Sequence, residues 1–261
     1  MISIMKKVVL SILAGLLLCG PAFGWGREAH ETVAKIAENH LKPSVKKKIE
    51  KYLGGKSIVY YAKWMDDYRH TKEYGYTTKW HVASVNKDFE YVHNKKDGDA
   101  VYGLNQAMDA LKNYKELSDS AVAVNLKYII HLVGDFHCPV HIYYAGKSQK
   151  FSTFVGPKWE QRKLAYHTSW DLGMIQYARY FSATEWAAEI DRVDKKEAAQ
   201  WTKGTPQEWF EESARNCYIQ WDLVHPDQLV DQDAMNIAIP LIESQIVKAG
   251  HRLAYVLNSL F

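Results

Sequence analysis

Cysteine is scarce in this sequence, with three in 261 residues. That excludes a small disulfide-stapled scaffold, which needs a framework of several bridges. Cys138 and Cys217 lie beyond the first 24 residues. Whether they pair stays open, because pairing also needs close, well-oriented Cβ atoms. A large charge of one sign is missing as well: the formal net charge is only +3. Global basicity therefore cannot recruit a nucleic acid, and any attraction for anions must be local. No apolar stretch is long enough to span a membrane; Val8–Leu18 covers only eleven residues. Repeats, low-complexity tracts and linkers are absent too, so one large domain is the simplest organisation.

The short apolar stretch has a different reading. Lys6 and Lys7 precede it, and Ala22-Phe23-Gly24 follows with small residues at the −3 and −1 positions of a cleavage site. Residues 1–24 thus read as a secretory signal peptide. Cys19 follows Leu18 rather than a small residue, which makes a lipoprotein anchor the weaker reading. Cleavage after Gly24 leaves a domain of residues 25–261 that starts at Trp25, and removes two lysines, taking the formal charge from +3 to +1. The expected destination is the periplasm or the medium, as a monomer with no membrane attachment.

What is abundant is helical patterning. Val33, Ile36, Ala37 and Leu41 form one apolar stripe; Val45, Ile49 and Tyr52 resume it after Pro43-Ser44. Leu104, Ala107, Met108, Leu111 and Tyr114 form another. Ser118-Asp119-Ser120 offers an N-cap for a helix through Val122, Leu126, Ile129, Ile130 and Val133 to about Phe136. Ser182 with Glu185, and Thr205 with Glu208, match capping boxes, with Pro206 at the first helical position of the second. Asp231 to Leu260 reads as a helix kinked at Pro240. Strand candidates are few: Trp80–Val85 and Phe151–Val155. The expected fold is mostly α, a single α-helical domain with little β structure. Lys46-Lys47-Lys48 reads as a solvated helix face.

Histidine and aspartate carry the chemistry. His131–His141 reads HLVGDFHCPVH. His131 and Asp135, four apart on a helix, share one face, and Pro139 turns the chain so that His141 can approach from another direction. Alone, this could be a helix C-terminus rich in cations. His167 and Asp171 repeat the spacing, with Trp170 beside them. Trp64-Met65-Asp66 precedes Arg69 by one turn, Trp80 precedes His81, and Trp25-Gly26 lies before His30. The candidate ligands are His30, Asp66, His81, His131, Asp135, His141, His167 and Asp171. A single zinc takes three or four ligands, so this set suits two or three ions. Imidazole with carboxylate favours zinc among common metals.

These residues resemble the S1/P1-type zinc-dependent nucleases. The matching motifs are WGxxxH at Trp25–His30, WxDxxR at Trp64–Arg69, WH at Trp80-His81, HxxxDxHxPxH at His131–His141 and HxxWD at His167–Asp171, in the family's order. The resemblance implies an α-helical fold of the S1/P1 nuclease and zinc phospholipase C type, with three Zn2+ per chain. The first would be held by Asp66, His81, His131 and Asp135. The second would be held by His141, His167 and Asp171. The third would take the free amine and carbonyl of Trp25 with His30 and Asp135. His137 matches a motif histidine that is not a ligand. The implied activity is endonucleolytic hydrolysis of single-stranded DNA or RNA to 5′-phosphorylated products, with 3′-nucleotidase activity on nucleotides as a further expectation. Asp66, Arg69 and Asp135 would form its catalytic core, with Arg69 donating to phosphoryl oxygens.

Two departures bear on the substrate. Val82 and Ser84 stand where family members often carry an aromatic residue and a base-contacting aspartate. Tyr143-Tyr144 opens a stretch that lacks the family's Gly-Gly-Asn. Val82, Ser84, Tyr143 and Tyr144 are therefore the candidate substrate contacts, the tyrosines by stacking on bases. Two rival readings stay open: a zinc-dependent phospholipase C, whose last ligand pair ends in glutamate where this chain has Asp171, and a secreted zinc-binding protein without catalysis.

Overall fold

The computed structural model describes residues 25–261. The leader reading of residues 1–24, with Lys6, Lys7, Val8–Leu18, Cys19 and Ala22–Gly24, lies outside the described residues.

The fold is mostly α, as the periodicity predicts. The N-terminal helix Arg27–His40 buries Val33, Ala34, Ile36 and Ala37, which is more than a surface stripe. It lies against the C-terminal helix Gln232–Leu260. Gly250 permits the close approach: a Cβ there would sit 2.5 Å from Ile36 Cγ2. Asp231 caps the C-terminal helix, and Pro240 lies within it. The third central helix, Asp119–Asp135, starts at Ser118, whose hydroxyl accepts from the Ala121 amide at 3.2 Å. Its last seven residues, Ile129 through Asp135, are all buried. Both capping boxes form, at Ser182 with Glu185 and at Thr205 with Glu208.

Short strands supply what helical periodicity does not show. Ala83–Val85 (β1), Tyr91–Val92 (β2) and Ile142–Tyr144 (β3) make a sheet of order β2-β1-β3. β1 and β3 are parallel, with Ala83 opposite Ile142, Ser84 opposite Tyr143 and Val85 opposite Tyr144. The strand entered just after His81 therefore runs beside the strand entered at His141. A second hairpin pairs Ser152–Val155 (β4) with Arg162–Ala165 (β5) and delivers the chain to Tyr166 and His167.

Cys138 and Cys217 are both buried and unpaired. The disulfide left open by the sequence does not form here.

Candidate metal centre

Four segments of chain converge on Asp135, one of them the entry to β1 that carries His81. His30 comes from the N-terminal helix, and His131 from the same helix as Asp135. His141 comes from the 3-10 turn Pro139–His141. Gly134 opens room for this: a Cβ there would lie 2.8 Å from His30 Nδ1. The Asp135 carboxylate is fully buried. Its Oδ2 lies 2.9 Å from His81 Nδ1 and 3.1 Å from His131 Nε2. Its Oδ1 lies 2.9 Å from His141 Nδ1 and 3.3 Å from His30 Nε2. Asp66, on the short helix Trp64–Tyr68, brings Oδ1 to 3.6 Å from His81 Nδ1 and 3.9 Å from His131 Nε2. On the far side, His141 Nε2 lies 3.6 Å from Asp171 Oδ1, and His167 Nε2 lies 3.8 Å from Asp171 Oδ2.

Most of these approaches are not hydrogen bonds. Both Asp135 oxygens, both nitrogens of His30 and of His141, Asp66 Oδ1 and His81 Nε2 are buried without a hydrogen-bond partner. Leaving such atoms unsatisfied costs roughly 1–3 kcal/mol each. Donor atoms that crowd together at 3–4 Å, outside hydrogen-bond geometry, suit cations shared between them. Three groups of close ligand atoms result: His30, Asp66 and His131; His81, His131 and Asp135; Cys138, His141 and Asp171. The residues present thus fit a cluster of transition-metal ions.

Fixed tautomers support the same reading. His131 Nδ1 lies 2.7 Å from the Ala62 carbonyl. A carbonyl only accepts, so Nδ1 carries a proton and Nε2 is the nitrogen left to face the cluster and a cation. His167 Nδ1 lies 3.3 Å from Gln149 Oε1, and the Gln149 amide donates to the Val140 carbonyl at 2.9 Å. Burial, reinforced by the charge of His131, pushes His30 down to about 4. Burial with the charge of His141 pushes His167 down to about 3. Both imidazoles are therefore neutral, as ligation requires. Burial would also lower His131, but Asp135 and Asp66 outweigh it and raise it to about 9. A cation arriving there must displace that proton.

The His167–Asp171 segment is not the regular helix that an i, i+4 pair suggests. A short helical turn Tyr166–Thr168 passes into the π-helical stretch Ser169–Gly173. Such widened turns recur at functional sites. The Gly26 amide donates to the Asp171 carbonyl at 2.8 Å, which pins buried Trp25 beside this segment. Gln220 ties the flanks together: it accepts from the Tyr166 hydroxyl at 2.9 Å and donates to the Pro139 carbonyl at 2.9 Å.

Several supporting residues carry no signal in the sequence pattern. Cys138 donates its thiol to Asp171 Oδ1 at 3.5 Å. Burial and the charge of Asp171 raise its pKa, so it stays a thiol. Gln149, Gln220 and Arg252 act from distant segments. Arg252 NH1 donates to His137 Nε2 at 2.8 Å while His137 Nδ1 faces the Val133 carbonyl at 2.7 Å. His137 therefore braces the helix end and is not turned toward the cluster.

Arg69 is buried, with NH1 at 3.5 Å from Asp66 Oδ1. With His81, Val82, Ser84 and Tyr143 it lines a cleft of about 440 Å³. Ser84 and Tyr143 are opposite each other on β1 and β3 and face the same side. Tyr144 is corrected. Neighbouring residues of a strand point to opposite faces, so it turns inward. It is 6% exposed and donates its hydroxyl to the Ala214 carbonyl at 2.8 Å. That is a packing role.

Comparison with known proteins agrees with this geometry. The family model described as S1/P1 Nuclease matches residues 25–261. Endonuclease 2 of Arabidopsis thaliana is 26% identical over 287 residues, covering 97% of this chain and 97% of that protein. Nuclease P1 of Penicillium citrinum is 25% identical over 271 residues, covering 90% of this chain and 97% of that protein. Nuclease S1 of Aspergillus oryzae is 31% identical over 137 residues, covering 49% of this chain and 47% of that protein.

Proposed function

The chain belongs to the S1/P1 nuclease family and is a hydrolytic nuclease, and on that premise we propose that it cleaves single-stranded DNA or RNA with three zinc ions, leaving 5′-phosphorylated products. The observation that carries this reading is the set of buried, unpartnered ligand atoms around Asp135.

Asp66, His81, His131 and Asp135 would hold one ion; His141, His167 and Asp171 a second; and the Trp25 amine and carbonyl, with His30 and Asp135, a third. Bound there, zinc would lower the pKa of a water toward neutrality and stabilise the departing oxygen of a phosphodiester. The protein's own groups do the rest. Asp135 offers one oxygen to each side of the cluster and keeps its parts in register. Burial keeps His30 and His167 neutral. Arg69, held near Asp66, donates to the phosphoryl oxygens and offsets the charge that grows on attack. Ser84 and Tyr143 face the nucleotide, Ser84 as hydrogen-bonding group and Tyr143 as stacking surface. A 3′-nucleotide presents the same ester to the same groups.

The leader reading completes the site. A free amine at Trp25 exists only after cleavage behind Gly24, so export to the periplasm or medium would double as activation of the monomer. No described helix is long and apolar enough to cross a membrane.

The deciding assay compares acid-soluble nucleotides released from single-stranded DNA with phosphocholine released from lecithin. Nucleotide release alone is expected. Phosphocholine release without nucleotide release would assign the site to a phospholipase C. Metal-loaded protein inactive on both would leave a zinc-binding protein.

A further inference from the structure

The metal cleft does not end at its own rim. A second cavity, of about 580 Å³, adjoins it and shares Thr78, Lys79, Asn94 and Asp97 with it. Its volume is that of a small-ligand site. Trp80, next in the chain to His81, forms part of its lining, and its indole N–H donates to the Asp97 carbonyl at 3.2 Å. The chemistry of the lining is specific. Lys79, Lys95 and Lys96 bring three positive charges against the single carboxylate of Asp97. The residues from Trp25 onward carry a formal net charge of only +1, from +3 less Lys6 and Lys7. Positive charge is thus concentrated here. Tyr76 and Tyr102 add rings that are 59% and 36% exposed.

The lysines sit on a built turn. Asn94 Oδ1 accepts from the Lys96 amide at 3.2 Å and the Asp97 amide at 3.3 Å. The Asn94 amide donates to buried Asp99 at 2.8 Å, and the Gly98 amide returns to the Asn94 carbonyl at 2.9 Å. The turn is anchored beside the cap of the helix Ala100–Lys112. Its position relative to the cleft is therefore set before any ligand arrives.

We propose that this outer cavity is an extension subsite for single-stranded nucleic acid, in which Lys95 and Lys96 hold backbone phosphates beyond the cleaved bond and Tyr102 stacks on a base. It rests on the nuclease reading above. Lysines that track phosphates beside aromatic faces that stack on bases are the pairing that binds single strands without reading sequence. The surplus of positive charge excludes a cationic ligand, and the joined cavities suit a polymer longer than the cleaved unit. Length preference and salt dependence then reside at the turn, while bond cleavage resides at the metal centre.

The test uses the metal-loaded enzyme with a dinucleotide and a single-stranded dodecamer. Lys95→Ala/Lys96→Ala should raise KM for the dodecamer roughly tenfold and leave dinucleotide hydrolysis unchanged. Each phosphate contact contributes a slope of about 0.7 in the logarithm of affinity against the logarithm of salt for single strands. The double variant should therefore show a dodecamer slope shallower by about 1.4. Tyr102→Leu should raise dodecamer KM roughly tenfold, within the range of one lost stacking contact, without changing the slope. Equal effects on both substrates, or none on the dodecamer, would overturn the subsite. A wild-type enzyme inactive on both substrates would instead remove the nuclease reading, and the subsite with it.

Discussion

Asp135 differs from its neighbours in serving two sides of one cluster. Its two oxygens approach four imidazoles, whereas Asp171 approaches His141 and His167. Two unit charges 4 Å apart interact by about 4 kcal/mol at an effective dielectric of 20. With cations bound on both sides of Asp135, as proposed, removing its charge would cost that screening on both sides. Asp135→Asn is therefore expected to lose more bound metal than Asp171→Asn, and to cut the rate at least about tenfold further, a difference of about 1.4 kcal/mol. Rates and elemental analysis of the two variants check it; equal activity and equal metal content would count against the bridging role. At this scale the sequence is most legible. Spacing alone groups His131 with Asp135, because helical periodicity puts both on one side of a regular helix; it groups His167 with Asp171 too, although that pair meets across a π-helical turn. Tyr144 shows the converse. Its neighbour Tyr143 lies on a strand too short to read from the sequence, and alternation sends the two rings in opposite directions.

Helices announce themselves through local chemistry, and most of the long ones are legible for that reason. Capping boxes, the Ser118 cap and the apolar stripes are all decided within a few residues. The strands are not. Tyr91–Val92 and Arg162–Ala165 exist because a partner strand is brought to them by the rest of the fold. The π-helical stretch after His167 likewise has no periodic signature. How elements are held together is also decided at a distance. Asp191 follows the helix Ala183–Ile190 and accepts from His40 and His251 at 2.8 Å each, joining the end of the N-terminal helix to the C-terminal helix. Burial alone would raise the Asp191 pKa, but the bonds from His251 and His40 bring it below its ordinary value of 3.8. A carboxylate depressed in the folded state stabilises above its unfolded pKa and loses that contribution as pH falls. Asp191→Ala should cost roughly 1–2 kcal/mol near neutrality, allowing for partial exposure. The gap should close as pH drops below 3.8. Urea unfolding of both metal-stripped proteins at several pH values measures it; a gap that does not change with pH would contradict the assignment.

The whole molecule brings a site from five separated stretches of chain to one point. The N-terminal helix, the Asp66 turn, the entry to β1, the helix end with the Pro139–His141 turn that follows it, and the His167 segment each supply one to three candidate ligands. No stretch is a binding site by itself. Several of the candidate donors stand near a local marker in the sequence: Asp66 near Trp64, His81 after Trp80, Asp171 after Trp170 and His141 near Pro139. What was not legible is the scaffold between the stretches. Gln149, Gln220 and Arg252 meet their partners only in the folded chain. Near-neutral overall charge also fits this division, since three lysines stand against one carboxylate in the lining of the outer cavity.

On the proposed reading, this point holds three zinc ions that perform the hydrolysis. Zinc per chain is measured directly by elemental analysis of purified protein beginning at Trp25, with the rate on single-stranded DNA followed on the same sample before chelation, after it, and after zinc is returned. Three zinc ions per chain are expected in the active protein, with loss of both metal and activity on chelation and recovery of both with zinc. Fully active protein with one zinc ion or none would contradict that reading.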